Sequence, residues 1–240
     1  VSADGSVIVG DYTFVPSPNP YRGFRNNAIL SGIKFGWEAH AYAVSADGQT
    51  VVGESYTGAG NDNWYEATIW PAGVTLGQGL GRLGNSDSSA LAISADGTTI
   101  VGESGDKAVR FSPGGVTSLG TLPGEYQSSA LAVSADGSIV VGESGSNAFI
   151  WDESNGMRNL QAVLETDYGL DLCGWSLILV DGISDDGKVM VGFGTNPSGS
   201  GEAWMVNLAN ATMIPEPGSL VMLAGLAVMG LLYWRIRPGR

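Results

Sequence analysis

Ser94–Ser104 reads SADGTTIVGES. The phrase recurs as SADGSVIVGDY from Ser2, SADGQTVVGES from Ser45, SADGSIVVGES from Ser134 and SDDGKVMVGFG from Ser184. Its aspartates, Asp4, Asp47, Asp96, Asp136 and Asp186, stand 43, 49, 40 and 50 residues apart. Self-similarity at this period belongs to solenoids, propellers and arrays, in which each unit buries its apolar surface against the next.

Inside the phrase the spacing is rigid. Six residues separate Asp47 from Gly53, Asp96 from Gly102 and Asp136 from Gly142. Asp-Gly is a hairpin signal, because glycine accepts positive φ and the aspartate carboxylate bonds back to its own backbone. SADG therefore reads as a turn between a strand such as ALAIS and a strand such as TIVGES. Both runs are almost continuously apolar, as in strands covered on both faces. A third strand follows (YEATIW, KAVRFS, NAFIW, EAWMV) and then a short fourth (GVTLG, GVTSLG, GMRNLQ). Four antiparallel strands in such a unit make a propeller blade. The fold expected is all-β, propeller-like with four-stranded antiparallel blades, a β-solenoid being the alternative. About four complete units and two half units are expected, the last stopping after EAWMVNL. NLQAVLETDYGL, from Asn159, is the one helical candidate before residue 210.

Composition narrows the function. The chain has 240 residues and a formal net charge of −13. Its last six residues, RIRPGR, hold three of the eleven bases; the rest sets 8 bases against 24 acids, a balance of −16. Such a body repels phosphate backbones, so nucleic acid is excluded as a partner, whereas cations and neutral glycans are not. Cys173 is the only cysteine and reads as a small buried residue. His40 is the only histidine. Neither lies in a nucleophile, P-loop or zinc-protease motif.

Five turn aspartates are expected to be structural, since a catalytic group is needed once and a turn once per unit. The residue after each VG pair is a different matter. It is Asp11, Glu54, Glu103 and Glu143 in four units, and Phe193 in the fifth. In a propeller these positions share one height around the axis. They could converge as an acidic ring holding Ca²⁺. The alternative is that each points to solvent or bonds the adjacent serine of its own unit, Ser55, Ser104 or Ser144.

The unit A-x-A-x-S-A-D-G-x-x-x-V-G-x-S…A-x-x-W…G-x-x-x-L-G resembles the bacterial extracellular HAF repeat, with Asn147–Phe149 as the nearest match to the naming tripeptide. That resemblance implies an exported protein and says little of a ligand. The C-terminus differs in kind. Pro215, Glu216 and Pro217 precede an uncharged run, Leu220–Trp234, and then three arginines. The run reads as a transmembrane helix slightly shorter than the ~20 residues that span a bilayer comfortably, with the arginines cytoplasmic. This order resembles the PEP-CTERM sorting signal of Gram-negative bacteria. It implies recognition by an exosortase at Pro215–Pro217 and delivery to the cell surface or an exopolysaccharide matrix.

The organisation expected is a repeat domain over 1–209, a linker over 210–219, a membrane helix over 220–234 and a basic tail over 235–240. The chain enters mid-repeat and reads as a fragment or a processed chain. The function expected is that of a non-enzymatic, exported surface or matrix protein. Alternatives are a glycan- or cation-binding module and, less favoured, a propeller glycoside hydrolase or lyase.

Overall fold

The computed structural model describes residues 1–13, 21–34, 38–58, 64–210 and 212–215. These form five antiparallel sheets in chain order and one short helix. The first sheet holds β1 (Val9–Thr13), β2 (Tyr21–Arg25) and β3 (Ala28–Leu30). The second holds β4 (Ala39–Val44), β5 (Thr50–Tyr56), β6 (Tyr65–Pro71) and β7 (Gln78–Gly81). In the third are β8 (Ser88–Ile93), β9 (Ile100–Ser104), β10 (Lys107–Ser112) and β11 (Gly115–Gly120). The fourth comprises β12 (Ser128–Val133), β13 (Ile139–Ser144), β14 (Asn147–Asp152) and β15 (Gly156–Asn159). Helix α1 (Leu160–Thr166) precedes the fifth, made of β16 (Ser176–Ile183), β17 (Val189–Thr195), β18 (Gly201–Asn207) and β19 (Thr212–Pro215). Each sheet is a meander whose strands lie in sequence order, the arrangement of a propeller blade.

Three details differ from the sequence reading. The fourth strand of the second sheet is Gln78–Gly81, beyond GVTLG; Leu76 of that stretch instead makes an isolated bridge to Ser31, the residue after β3. The last unit is complete, because Thr212–Pro215, read as linker, pairs along β18. Cys173 is exposed rather than buried, in the loop between α1 and β16, where its φ is +52°. The helix itself is short because only LQAVLET carries an apolar face, with Leu160, Val163 and Leu164 buried. Asn159 caps it, its Oδ1 accepting from the Ala162 N–H at 3.0 Å.

The core is divided, as blade stacking requires. One cluster joins the first two sheets through Leu30, Ala41, Val51 and the fully buried Trp70. The next joins the second and third sheets through Val52, Ala67, Ala90 and Phe111. A third, around Leu119, Val140 and Phe149, joins the third and fourth. The last packs α1 and the fifth sheet, with Met190 and Trp204, against Val141 and Ile150. Among the described residues no cluster joins the first sheet to the fifth.

The five SADG turns are built alike. In the second unit the buried Ser45 hydroxyl donates to Asp47 Oδ1 at 2.6 Å and accepts from the Thr50 N–H at 3.0 Å. Asp47 Oδ1 also accepts from the Gln49 N–H at 2.9 Å, and Gly48 sits at φ +71°. The same bonds recur around Asp4, Asp96, Asp136 and Asp186. The turns are also joined to one another. Ala3 N–H donates to Ala46 O, Ala46 to Ala95, Ala95 to Ala135 and Ala135 to Asp185, at 2.9 to 3.1 Å. A ladder of backbone bonds thus ties all five sheets together at one end.

Candidate functional site

The end opposite the turns is where the repeats stop being alike. At that end lie the starts of β4, β8, β12 and β16 and the ends of β5, β9, β13 and β17. Each starting strand carries a register shift, between Ala41 and Ala43, Ala90 and Ala92, Ala130 and Ala132, and Val180 and Gly182. The residues skipped are Tyr42, Leu91, Leu131 and Asp181. A bulge re-aims side chains, and it also explains the VG glycine. An added Cβ on Gly53, Gly102, Gly142 or Gly192 would overlap the carbonyl oxygen of His40, Ser89, Ser129 or Leu179, respectively.

In the first two sheets the carboxylate after the VG pair reaches across to the starting strand of the next sheet. Asp11 accepts from the Ala41 N–H at 2.8 Å, and its other oxygen lies 2.8 Å from His40 Nδ1. Glu54 accepts from the Ser89 hydroxyl and, at 2.8 Å, from the Tyr42 hydroxyl of its own sheet. Beyond this the pattern lapses. Ser129, the counterpart of Ser89, leaves its buried Oγ without a partner beside Glu103 and Glu143. Glu143 faces a sheet with Leu179 at that position. Its carboxyl is pushed up, by burial first and then by the charges of Glu103 and Asp181.

Asp11, Glu54, Glu103 and Glu143 therefore do not form one shared ring. Among the described residues no group of three or more His, Cys, Asp or Glu side chains could hold a metal. Nor do these carboxylates bond the serines of their own units. Ser104 and Ser144 instead accept from the Leu83 and Leu122 N–H groups. The physical reason is reach: the extended strand points Glu and Ser at adjacent positions to opposite faces.

Around His40 the first two sheets gather aromatic rings. Tyr21, Tyr42 and Tyr65 lie 5.3, 6.1 and 6.0 Å from the imidazole, centroid to centroid. Tyr56 lies 5.5 Å from Tyr65. Tyr21 and Tyr42 are 43% and 42% exposed. His40 Nε2 is 3.7 Å from Glu38 Oε1. The Tyr65 hydroxyl is pushed up to about 12, by burial first and then by Glu38, whose carboxylate it bonds. The Tyr42 hydroxyl is also raised, by burial first and then by Glu54. Both phenols therefore stay protonated as donors. Sequence reasoning noted His40 but missed this cluster. The available signal was departure from the repeat, since His40 and Tyr42 stand where Ser89 and Leu91, or Ser129 and Leu131, stand elsewhere.

Solved structures with the same fold are β-propellers. A putative TolB from Agrobacterium tumefaciens superposes with a TM-score of 0.57 at 11% identity, over 89% of this chain and 77% of that one. TolB from Acinetobacter baumannii gives 0.55 at 11%, over 86% and 52%. A puromycin hydrolase gives 0.55 at 14%, over 91% and 38%. The chain thus spans about half the length of the Acinetobacter protein, and these likenesses define the fold alone.

No curated protein matches the chain. Residues 214–237 match the PEP-CTERM protein-sorting motif, which implies an exported protein processed by an exosortase. Pro215 ends β19, while Glu216, Pro217, the apolar run 220–234 and the basic end 235–240 lie outside the described residues. Among the described residues no helix is long and apolar enough to cross a membrane.

Proposed function

We propose that this chain is a non-enzymatic surface or exopolysaccharide-matrix protein, a propeller of HAF-type repeats exported and then sorted through its C-terminus. The observation that carries the reading is the sorting motif at 214–237, directly continuous with the last strand of the fifth sheet. In the precursor, residues 220–234 sit in the inner membrane with the arginines of 235–240 on the cytoplasmic side. The exosortase reads Pro215–Pro217 and removes the tail, by the same logic as other signals that pair a recognition site with a disposable apolar segment.

A non-catalytic role is supported by how the titratable side chains are spent. The five turn aspartates hold backbone, Asp11 and Glu54 bridge sheets, and Arg158 pairs with Asp152 and Asp167 at 3.1 Å. Co-expression with an exosortase tests the sorting reading: the surface-released protein should lack the mass of the apolar tail. Detection of Arg240 on released protein would overturn it. A polysaccharide panel scored for turnover tests the non-enzymatic part, where product formation would overturn it.

A second reading, glycan binding, is favoured by the exposed rings of Tyr21 and Tyr42 beside His40. Aromatic faces with polar groups at their edges suit sugar rings, which present C–H on one face and hydroxyls at the rim. Loss of polysaccharide retention in Tyr21→Ala/Tyr42→Ala, with the fold intact, is the expected result.

A further inference from the structure

The cleft between the third and fourth sheets, at the end opposite the turns, has a volume of about 150 Å³ and is lined by Glu103, Asp106, Gln127, Ser128, Ser129 and Glu143. Two glycines, Gly105 and Gly145, complete the lining; every side chain in it is polar or acidic, and none is basic. Lys107, the adjacent base, places its Nζ on the Tyr126 carbonyl at 2.8 Å. Asp181 of β16 adds a further negative charge towards Glu143. Ser129 is 7% exposed, and its Oγ has no partner. One sheet earlier the equivalent Ser89 closes the same junction by donating to Glu54. Here Ser129, its buried hydroxyl unpartnered, lines one cleft together with the two carboxylates. A buried polar atom without a partner beside crowded like charges is costly unless a donor-rich cation completes it.

We propose that this cleft binds a primary ammonium group, carried by a small diamine or an amino sugar. An ammonium offers three donors and needs separate acceptors near 2.8–3.0 Å, not a converged shell. That suits oxygens from Glu103, Glu143 and Ser129 on different strands, among which no metal-binding group of three acids exists. The volume admits the charged head and a short carbon stem; a pyranose ring would remain outside, against the exposed rim. The proposal does not depend on the sorting or glycan readings above.

The test uses the full chain in mild detergent, with putrescine, glucosamine, N-acetylglucosamine and Ca²⁺ as probes in thermal-shift and calorimetric titrations. Putrescine or glucosamine should stabilise the protein, and N-acetylglucosamine, which lacks the charge, should not. Which of the two amines binds more tightly separates the diamine from the amino-sugar source. Ser129→Ala should weaken binding about tenfold, the loss of one hydrogen bond to a charged group. Glu103→Gln/Glu143→Gln should abolish it. Ser89→Ala, which breaks only the equivalent junction, should leave it unchanged. Because Glu143→Gln relieves like-charge crowding, that single variant remains folded and serves if the double variant does not. Amine shifts that survive in the variants would be screening of the acidic body and would overturn the proposal. So would the absence of any amine shift, or stabilisation by Ca²⁺ alone through the same residues.

Discussion

Gly102 has no room for a side chain, because the bulge in β8 brings the Ser89 carbonyl against its Cα. Overpacking of this kind costs about 1–3 kcal/mol or more, since backbone must move. Gly102→Ala should therefore lower the unfolding free energy by that amount, measured by urea denaturation; an unchanged value would show that the bulge yields freely. The turn aspartates act through pH. Asp136 is held down at about 2, first by the Ser134 hydroxyl and then by the Ser138 N–H; Asp4 is also held at about 2, first by the Ser6 N–H. A depressed carboxyl stabilises above its ordinary pKa of 3.8, and that contribution disappears as the pH falls through about 2. Asp136→Asn should flatten the acid limb of the melting curve against pH. Glu143 has the opposite sign. Its raised carboxyl favours the fold below the ordinary 4.5 and opposes it once ionised. Glu143→Gln should thus melt higher than the native protein at pH 7 and equally below 4.5.

At the scale of the element, the ladder joining the turns makes an unusual demand. The amides of Ala46, Ala95 and Ala135 lie in turns yet donate to a neighbouring sheet. Their hydrogen exchange should be as slow as that of strand amides, although turns ordinarily exchange first. Fast exchange at these three sites would mean the ladder opens independently of the sheets. Phe111 tests the packing between sheets. It is 1% exposed in the cluster shared by the second and third sheets, and Phe111→Ala should cost about 3–5 kcal/mol.

For the whole molecule, stability is a sum of sheets and the junctions between neighbours, as in other repeat proteins. The four described core clusters each join consecutive sheets, so a lesion should spread by nearest neighbour. In Phe111→Ala, native-state exchange should quicken in the second and third sheets before the fifth. The acidic body and the apolar, arginine-ended tail belong to different stages of the protein's life in the function proposed.

The phrase SADG…VG was enough to place all five turns and the strand after each, but not the fourth strand of the second sheet, which lies further along at Gln78–Gly81, nor that of the fifth, Thr212–Pro215. The features it placed are local: positive φ at glycine, a carboxylate within reach of its own backbone, and apolar runs of strand length. The sorting motif was legible for the same reason, because it is read as a linear order of residues. What sequence could not supply was the relation between sheets. The ladder through Ala46 and Ala95 and the pairing of Glu54 with Ser89 join residues of different units, and the glycine forced by a facing carbonyl depends on a bulge that only the strand pairing reveals. The acidic positions were visible as a series, but whether they met one another or the next strand depended on the bulge and on the angle of stacking. His40 and its tyrosines show the same limit. Their departure from the repeat is in the sequence, whereas their convergence on Asp11, Glu38 and Glu54 exists only once the second sheet is paired and packed against the first.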